Sequence, residues 1–158
     1  MSQLVITKSI IRRLTKLNKT LAVAESITAG GIAQQLTRVP GSSKVFLGGV
    51  IAYSDQIKMS KLSIIKSDLQ KHTAVSEQVA IDMAKNVRRE FKSDYAISTT
   101  GVAGPKKAYG QRVGTVWVGI SSEKESFAIS LALSGDREVI RHATITSALA
   151  ALERILKP

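Results

Sequence analysis

The sequence predicts an α/β protein, a three-layer α/β/α sandwich around a mixed, partly parallel sheet. Segments with helical hydrophobic spacing alternate with short apolar runs of strand length, the pattern of helices covering both faces of a sheet. Near the C-terminus two apolar runs, Val113–Ser121 and Ser126–Leu133, are separated only by a short polar turn, so a hairpin adds antiparallel strands to a parallel first half. At 158 residues the chain is long enough to bury one substantial core.

In the first helix Ile6, Ile10, Leu14 and Leu17 line one side and Lys8, Arg12, Lys16 and Lys19 the other, so the basic side is expected in solvent. A strand follows at Leu21–Glu25, then a helix from about Thr28 to Arg38, then the turn Pro40-Gly41-Ser42-Ser43. The second strand covers Val45–Tyr53, where Gly48 and Gly49 mark a bulge or a close backbone approach. A short helical piece at Gln56–Lys61 leads through a polar connection to Ser76. That serine reads as the N-cap of a long helix whose stripe is Val79, Met83, Val87 and Phe91. Strands at Tyr95–Thr100, Val113–Ser121 and Ser126–Leu133 precede a final helix, Asp136–Leu156. No internal repeat or linker interrupts the pattern, which predicts a single domain over residues 1–158.

Composition excludes several classes. With 44% hydrophobic and 22% charged residues, 3 Pro and 11 Gly, the chain is neither disordered nor fibrous. The absence of Cys removes disulfides, thiolate zinc sites, iron–sulfur clusters and a cysteine nucleophile. His72 and His142 have no ligand spacing and no carboxylate cluster, so neither a metal nor a cofactor is expected. No apolar run approaches the roughly 20 residues of a membrane span and no secretory signal is evident, which makes a cytoplasmic location the expectation. Against 12 acids stand 23 Lys and Arg, a net charge of +11 that suits an anionic small molecule such as a nucleotide. Nucleic acid is not expected as a partner, because none of the few aromatic residues is interleaved with the basic stripe as a stacking platform requires. Trp117 is expected in the packing of its strand, and a homo-oligomer stays open.

Ligands of such sheets collect beyond the carboxyl ends of the parallel strands. The first strand ends in Glu25-Ser26, and Thr28-Ala29-Gly30-Gly31 opens a helix there. Ser26 is thus placed at a strand-to-helix turn beside unpaired amides, suited to a nucleophile and its oxyanion, although on spacing alone Ser26 or Thr28 as a simple helix cap is the favoured reading. The second strand runs out through Tyr53-Ser54-Asp55 to Lys58. A desolvated lysine can serve as general base toward a serine, with the phenol orienting it or relaying the proton; a solvated lysine and a capping Asp55 are the plainer alternative. The third strand ends in Thr99-Thr100-Gly101-Val102-Ala103-Gly104-Pro105, where Thr100, Gly101 and Gly104 could shape a backbone nest or only a tight turn. On the inward side of the final helix, Arg137 and Arg141 either pair with acids such as Glu25 or Asp136 or form a guanidinium clamp for a phosphate.

Taken in order and spacing, LAVAESITAGG, VPGSSKVFLGGVIAYSDQIK, TAVSEQVA, TTGVAGP, RVGTVWVG and LSGDREVIRHA resemble the CinA C-terminal domain family, which includes bacterial nicotinamide-nucleotide amidases. The resemblance spans roughly Leu21 to Leu149. It implies a three-layer α/β fold and hydrolysis of the carboxamide of nicotinamide mononucleotide to nicotinate mononucleotide and ammonia, within pyridine-nucleotide salvage. The family's serine falls on Ser26, its lysine on Lys58 and the accompanying tyrosine on Tyr53. Substrate contacts are then expected from Thr28, Gly30, Thr100, Gly101, Gly104, Arg137 and Arg141. Ile27 stands where the family usually has Cys, Ala29 for Gly, Asp55 for Asn and Thr73 for Gly, none of which removes a reactive group. The larger departure is Lys106-Lys107-Ala108-Tyr109-Gly110-Gln111-Arg112, about a residue shorter than a family loop that is typically glycine-rich and acidic. That departure keeps a second class in view, a noncatalytic relative that binds a nucleotide or a protein, and it supplies Lys106, Lys107 and Arg112 as alternative phosphate cations.

Overall fold

A computed structural model describes residues 2–157. Helix α1 (Gln3–Leu17) leads to strand β1 (Leu21–Glu25), helix α2 (Gly31–Thr37) and strand β2 (Phe46–Ile51). Helices α3 (Asp55–Leu62), α4 (Lys66–His72) and α5 (Glu77–Phe91) come next, then β3 (Tyr95–Gly101), β4 (Thr115–Ser121), β5 (Ser126–Ala132) and α6 (Arg137–Ile155). The strands form one mixed sheet in the order β2-β1-β3-β4-β5. β1 runs parallel to both β2 and β3, while β3, β4 and β5 are successively antiparallel.

Alternation along the strands builds two cores. Leu21 and Val23 of β1 face one way and pack with Ile97, Val116, Val118 and the apolar sides of α1, α2 and α6. Ala22, Ala24 and Ala96 face the other way, toward Val79, Met83 and Val87 of α5. The residues on that second face are small for a reason. Ser98 Oγ donates to Ala80 O (2.6 Å), and a Cβ at Gly119 would collide with the same carbonyl, so α5 lies directly on the sheet backbone. Ser76 is the N-cap of α5, its hydroxyl accepting from Val79 N–H.

Several expectations are corrected. Leu17 is 51% exposed at the last turn of α1, outside the stripe assigned to it. Lys19 lies beyond that helix and donates to Asp94 at 2.7 Å instead of extending a solvated face. Helix α2 starts at Gly31, three residues later than expected, because Ala29 (φ 47°) and Gly30 (φ 93°) are left-handed. The polar connection before Ser76 contains α4, a helix with no buried residue and hence no apolar period to reveal it. In β2 the bulge is present: Leu21 pairs with Phe46 but Ala22 with Gly48, leaving Leu47 as the extra residue. Gly49 permits the close approach, since a Cβ there would run into Val23. Trp117 is half-buried, with its neighbours Val116 and Val118 in the core on the other face of β4.

Candidate active site

The carboxyl ends of β2, β1 and β3 lie side by side, and a cavity of about 190 Å³ opens above them. Ser26 follows β1 directly. Its N–H donates across to Thr99 O (2.9 Å), which carries the hydroxyl up to the sheet edge, where the residue is 8% exposed. Lys58 arrives from α3, whose N-cap Ser54 accepts from Ile57 N–H and sets the direction of the helix. The Lys58 side chain turns inward to 1% exposure, and its Nζ donates to Ser26 Oγ at 3.2 Å. Burial pushes this amine below the ordinary lysine range, opposed in part by the Asp55 carboxylate 3.8 Å away. A lysine so placed loses its proton more readily than a surface one, and the hydroxyl it touches is that of Ser26. The contact is direct and needs no relay. Tyr53 lines the cavity, but its hydroxyl accepts from Arg137 Nη2 (2.7 Å).

The turn that holds Ser26 is built on Glu25. This fully buried carboxylate accepts from Thr28 Oγ1 (2.6 Å), Gly30 N–H (3.0 Å) and Ile32 N–H (3.0 Å) through Oε2, and from Ala33 N–H (2.9 Å) through Oε1. The expected roles of Thr28 and Gly30 are corrected accordingly. The Thr28 hydroxyl and the Gly30 N–H are spent inside the protein on Glu25, and neither residue lines the cavity. Ile27 N–H, on the residue after the serine, has no acceptor among the described residues, and neither has Ala103 N–H in the loop after β3.

Thr100, Gly101 and Gly104 all line the cavity. Thr100 Oγ1 donates to Ala74 O (2.6 Å), tying the end of β3 to the segment before α5. A side chain at Gly101 would strike Val116, and Gly104 is left-handed (φ 88°), so this loop hugs β4. The arginine pair is split. Arg137 lines the cavity and bridges Tyr53 to Gly104 O, donating to the latter at 2.7 Å. Arg141 is outside the lining and donates to the carbonyls of Ile27 and Thr28, both at 3.1 Å. Neither forms an ion pair with Glu25 or Asp136 among the described residues; Asp136 instead caps α6 by accepting from Val139 N–H.

Lys106 also lines the cavity. Sequence reasoning missed three contributors: Glu25 as the anchor of the turn, Asp55 as the neighbour of Lys58, and Tyr109 on the rim. Only Glu25 left a signal, an acid closing an otherwise apolar strand before a glycine pair. His72 is half-buried and His142 is exposed beside Gln3. Among the described residues no three His, Asp or Glu side chains converge as a metal site would require, and no helix is long and apolar enough to cross a membrane. A wider groove of about 680 Å³ lies at the opposite end of the sheet, lined by Lys85, Arg88, Arg89, Lys92 and Lys124. It contains no serine bonded to a buried base.

The fold and site together define a class: α/β proteins in which a serine after a parallel strand meets a buried lysine from the helix after the neighbouring strand. The chain belongs to the CinA C-terminal domain family, whose model matches residues 4–156. It is 43% identical over 145 residues to a protein of Clostridium botulinum (strain Langeland) that carries the name competence-damage inducible protein, an alignment covering 91% of this chain and 36% of that one. A Thermoanaerobacter relative of the same name is also 43% identical, over 148 residues. The chain therefore spans little more than a third of the length of these relatives. Among solved structures, the competence or damage-inducible protein of Enterobacter asburiae superposes with a TM-score of 0.97 at 29% identity, covering 99% of both chains. The Agrobacterium tumefaciens competence/damage inducible protein gives 0.94 at 29%, covering 99% of this chain and all of that one.

Proposed function

We propose that the protein is an amidohydrolase that converts nicotinamide mononucleotide to nicotinate mononucleotide and ammonia through a Ser–Lys acyl-enzyme. The observation that carries this reading is the 3.2 Å contact between Ser26 Oγ and the buried, pKa-depressed amine of Lys58 at the floor of the cavity.

Lys58, neutral, takes the Ser26 proton as Oγ bonds to the carboxamide carbon. The carbonyl oxygen becomes an oxyanion, for which the free N–H groups of Ile27, Ala103 and Gly104, all on the cavity lining, are candidate donors. While Lys58 is an ammonium, Asp55 Oδ1 at 3.8 Å stabilises it; that oxygen is buried and has no hydrogen-bond partner of its own. Lys58 returns the proton to the amide nitrogen, the C–N bond breaks and ammonia leaves. Water then attacks the ester, giving one proton to Lys58, which hands it to Ser26 Oγ as the carboxylic acid departs and loses its remaining proton to solvent. Both proton transfers run through one nitrogen, so no separate acid is needed. For the substrate phosphate, Arg137 and Lys106 are the cations on the cavity wall besides Lys58.

Ammonia release from nicotinamide mononucleotide, measured with and without Ser26→Ala and Lys58→Ala, tests the proposal. Turnover lost in both folded variants is expected; full activity in either overturns the mechanism, and no ammonia from the wild-type protein favours a binding protein on the same fold.

A further inference from the structure

The segment between β3 and β4 has a defined shape. At its base Val102 N–H donates to Thr115 O (2.9 Å) and Gly114 N–H to Val102 O (2.8 Å). At its tip Ala108 N–H donates to Gln111 O (3.2 Å) and Gln111 N–H to Ala108 O (2.8 Å). The tip is a two-residue hairpin whose central residues, Tyr109 (φ 53°) and Gly110 (φ 70°), are both left-handed, as a type I′ turn requires. Glycine suits that turn. A tyrosine at its first central position does not, since asparagine, aspartate and glycine are the residues that adopt this backbone readily. Something other than the turn accounts for the ring.

Aromatic residues are scarce in this chain, at 4%. Phe46, Tyr95 and Phe127 pack on one core, Phe91 packs on the other, and Trp117 is half-buried in the sheet. Tyr53 and Tyr109, at 57% and 45%, are the only aromatic side chains among the described residues that are exposed, and both stand on the wall of the cavity that holds Ser26 and Lys58. Tyr53 is held through its hydroxyl by Arg137. Tyr109 joins it on that wall from the hairpin; burial first, and then the nearby Asp55 and Tyr53, push its phenol above the ordinary tyrosine range.

Resting on the amidase reading above, we propose that Tyr53 and Tyr109 form an aromatic slot for the flat ring that bears the scissile carboxamide, with Tyr109 restricting the substrate to planar heteroaromatic amides. An N-ribosylated nicotinamide ring is both flat and cationic, and it gains from stacking and from the electron-rich faces of the tyrosines alike. The slot would hold the ring while leaving the carboxamide free to reach Ser26 below.

The test uses the full chain with Tyr109→Asn and Tyr109→Phe. Asparagine matches the turn better than tyrosine and removes the ring, so a loss caused by misfolding is separable from a loss of stacking. Tyr109→Asn is expected to raise KM for nicotinamide mononucleotide about tenfold, the scale of one lost stacking partner, with kcat little changed and the unfolding temperature not lowered. Tyr109→Phe should keep the wild-type KM. An unchanged KM in Tyr109→Asn overturns the slot, as does a loss accompanied by a lower unfolding temperature. Calorimetric titration of nicotinamide mononucleotide into a Ser26→Ala background separates this inference from the amidase reading. If the wild-type protein releases no ammonia, that reading fails, yet binding weakened about tenfold by Tyr109→Asn still upholds the slot. Unchanged or absent binding overturns it.

Discussion

Replacing Glu25 by glutamine tests how firmly the buried carboxylate holds the serine turn. Oε2 accepts three donors, from Thr28, Gly30 and Ile32, and Oε1 accepts Ala33 N–H. Glutamine has the same shape but one oxygen. With that oxygen in the position of Oε2, three donors stay satisfied, and the amide NH2 meets Ala33 N–H head to head. Two buried donors are then unpaired at about 1–3 kcal/mol each, and relief from burying a charge offsets part of this, leaving a net loss of about 3 kcal/mol. In a domain of this size about 1 kcal/mol moves the unfolding temperature by 2–4 °C, so a drop of about 6–12 °C is expected by circular dichroism at neutral pH. Since the same turn carries Ser26 and Ile27 N–H, ammonia release at 25 °C should fall as well, mainly in kcat. An unfolding temperature within about 2 °C of wild type would refute the assignment of Glu25 as the anchor.

The depressed pKa of Lys58 makes two predictions of the same sign. Turnover should rise with pH from neutral into the mildly alkaline range as the amine loses its proton, and a flat profile there would remove Lys58 as the base. The unfolded chain binds that proton more tightly than the folded one, so stability relative to Lys58→Met should improve as pH rises from the depressed value toward the ordinary 10.5. Arg141→Ala should slow hydrolysis of nicotinamide mononucleotide and of its phosphate-free riboside by similar factors, because the guanidinium holds the Ile27 and Thr28 carbonyls; Arg137→Ala should raise KM for both, since it also holds Tyr53, and more steeply for the phosphorylated substrate. A phosphate-selective effect at Arg141 would reverse those roles. Although burial raises it, the Asp94 carboxyl is held below its ordinary value by Lys19 and Thr20. Its contribution is therefore present at neutral pH and lost as pH falls through that depressed value, so Asp94→Asn should melt below wild type at pH 7 and converge with it in acid.

The alternation of helices and strands, the Ser76 cap and the hairpin were all legible because each rests on a period or a cap that local sequence displays. Ser26 and Lys58 were legible as candidates because strand ends collect chemistry, but their 3.2 Å contact depends on how β2 aligns with β1, which no local pattern reports. The start of α2 is not legible in the sequence because Ala29 adopts a left-handed backbone that its residue type does not advertise. The amides expected at Thr28 and Gly30 accordingly lie one and three residues beyond Ile27, whose N–H is free. The part played by Tyr109 was hidden for a related reason: a Tyr-Gly pair is a poor hairpin signal, and its meaning emerges only from what stands across the cavity.

The bulge at Leu47 acquires a further meaning from the site it precedes. Ser26 follows β1 and Lys58 sits on α3, the helix that follows β2, so the distance between them is an output of strand alignment. One residue of slip between β2 and β1 would shift Lys58 by about 3.3 Å, more than a hydrogen bond tolerates. Leu47, which faces solvent and touches no reacting group, thus works as a spacer that puts β2 in phase with β1. Site geometry here is measured out in whole residues, and an insertion or deletion in an outer strand would be felt as a broken Ser26–Lys58 contact at its far end.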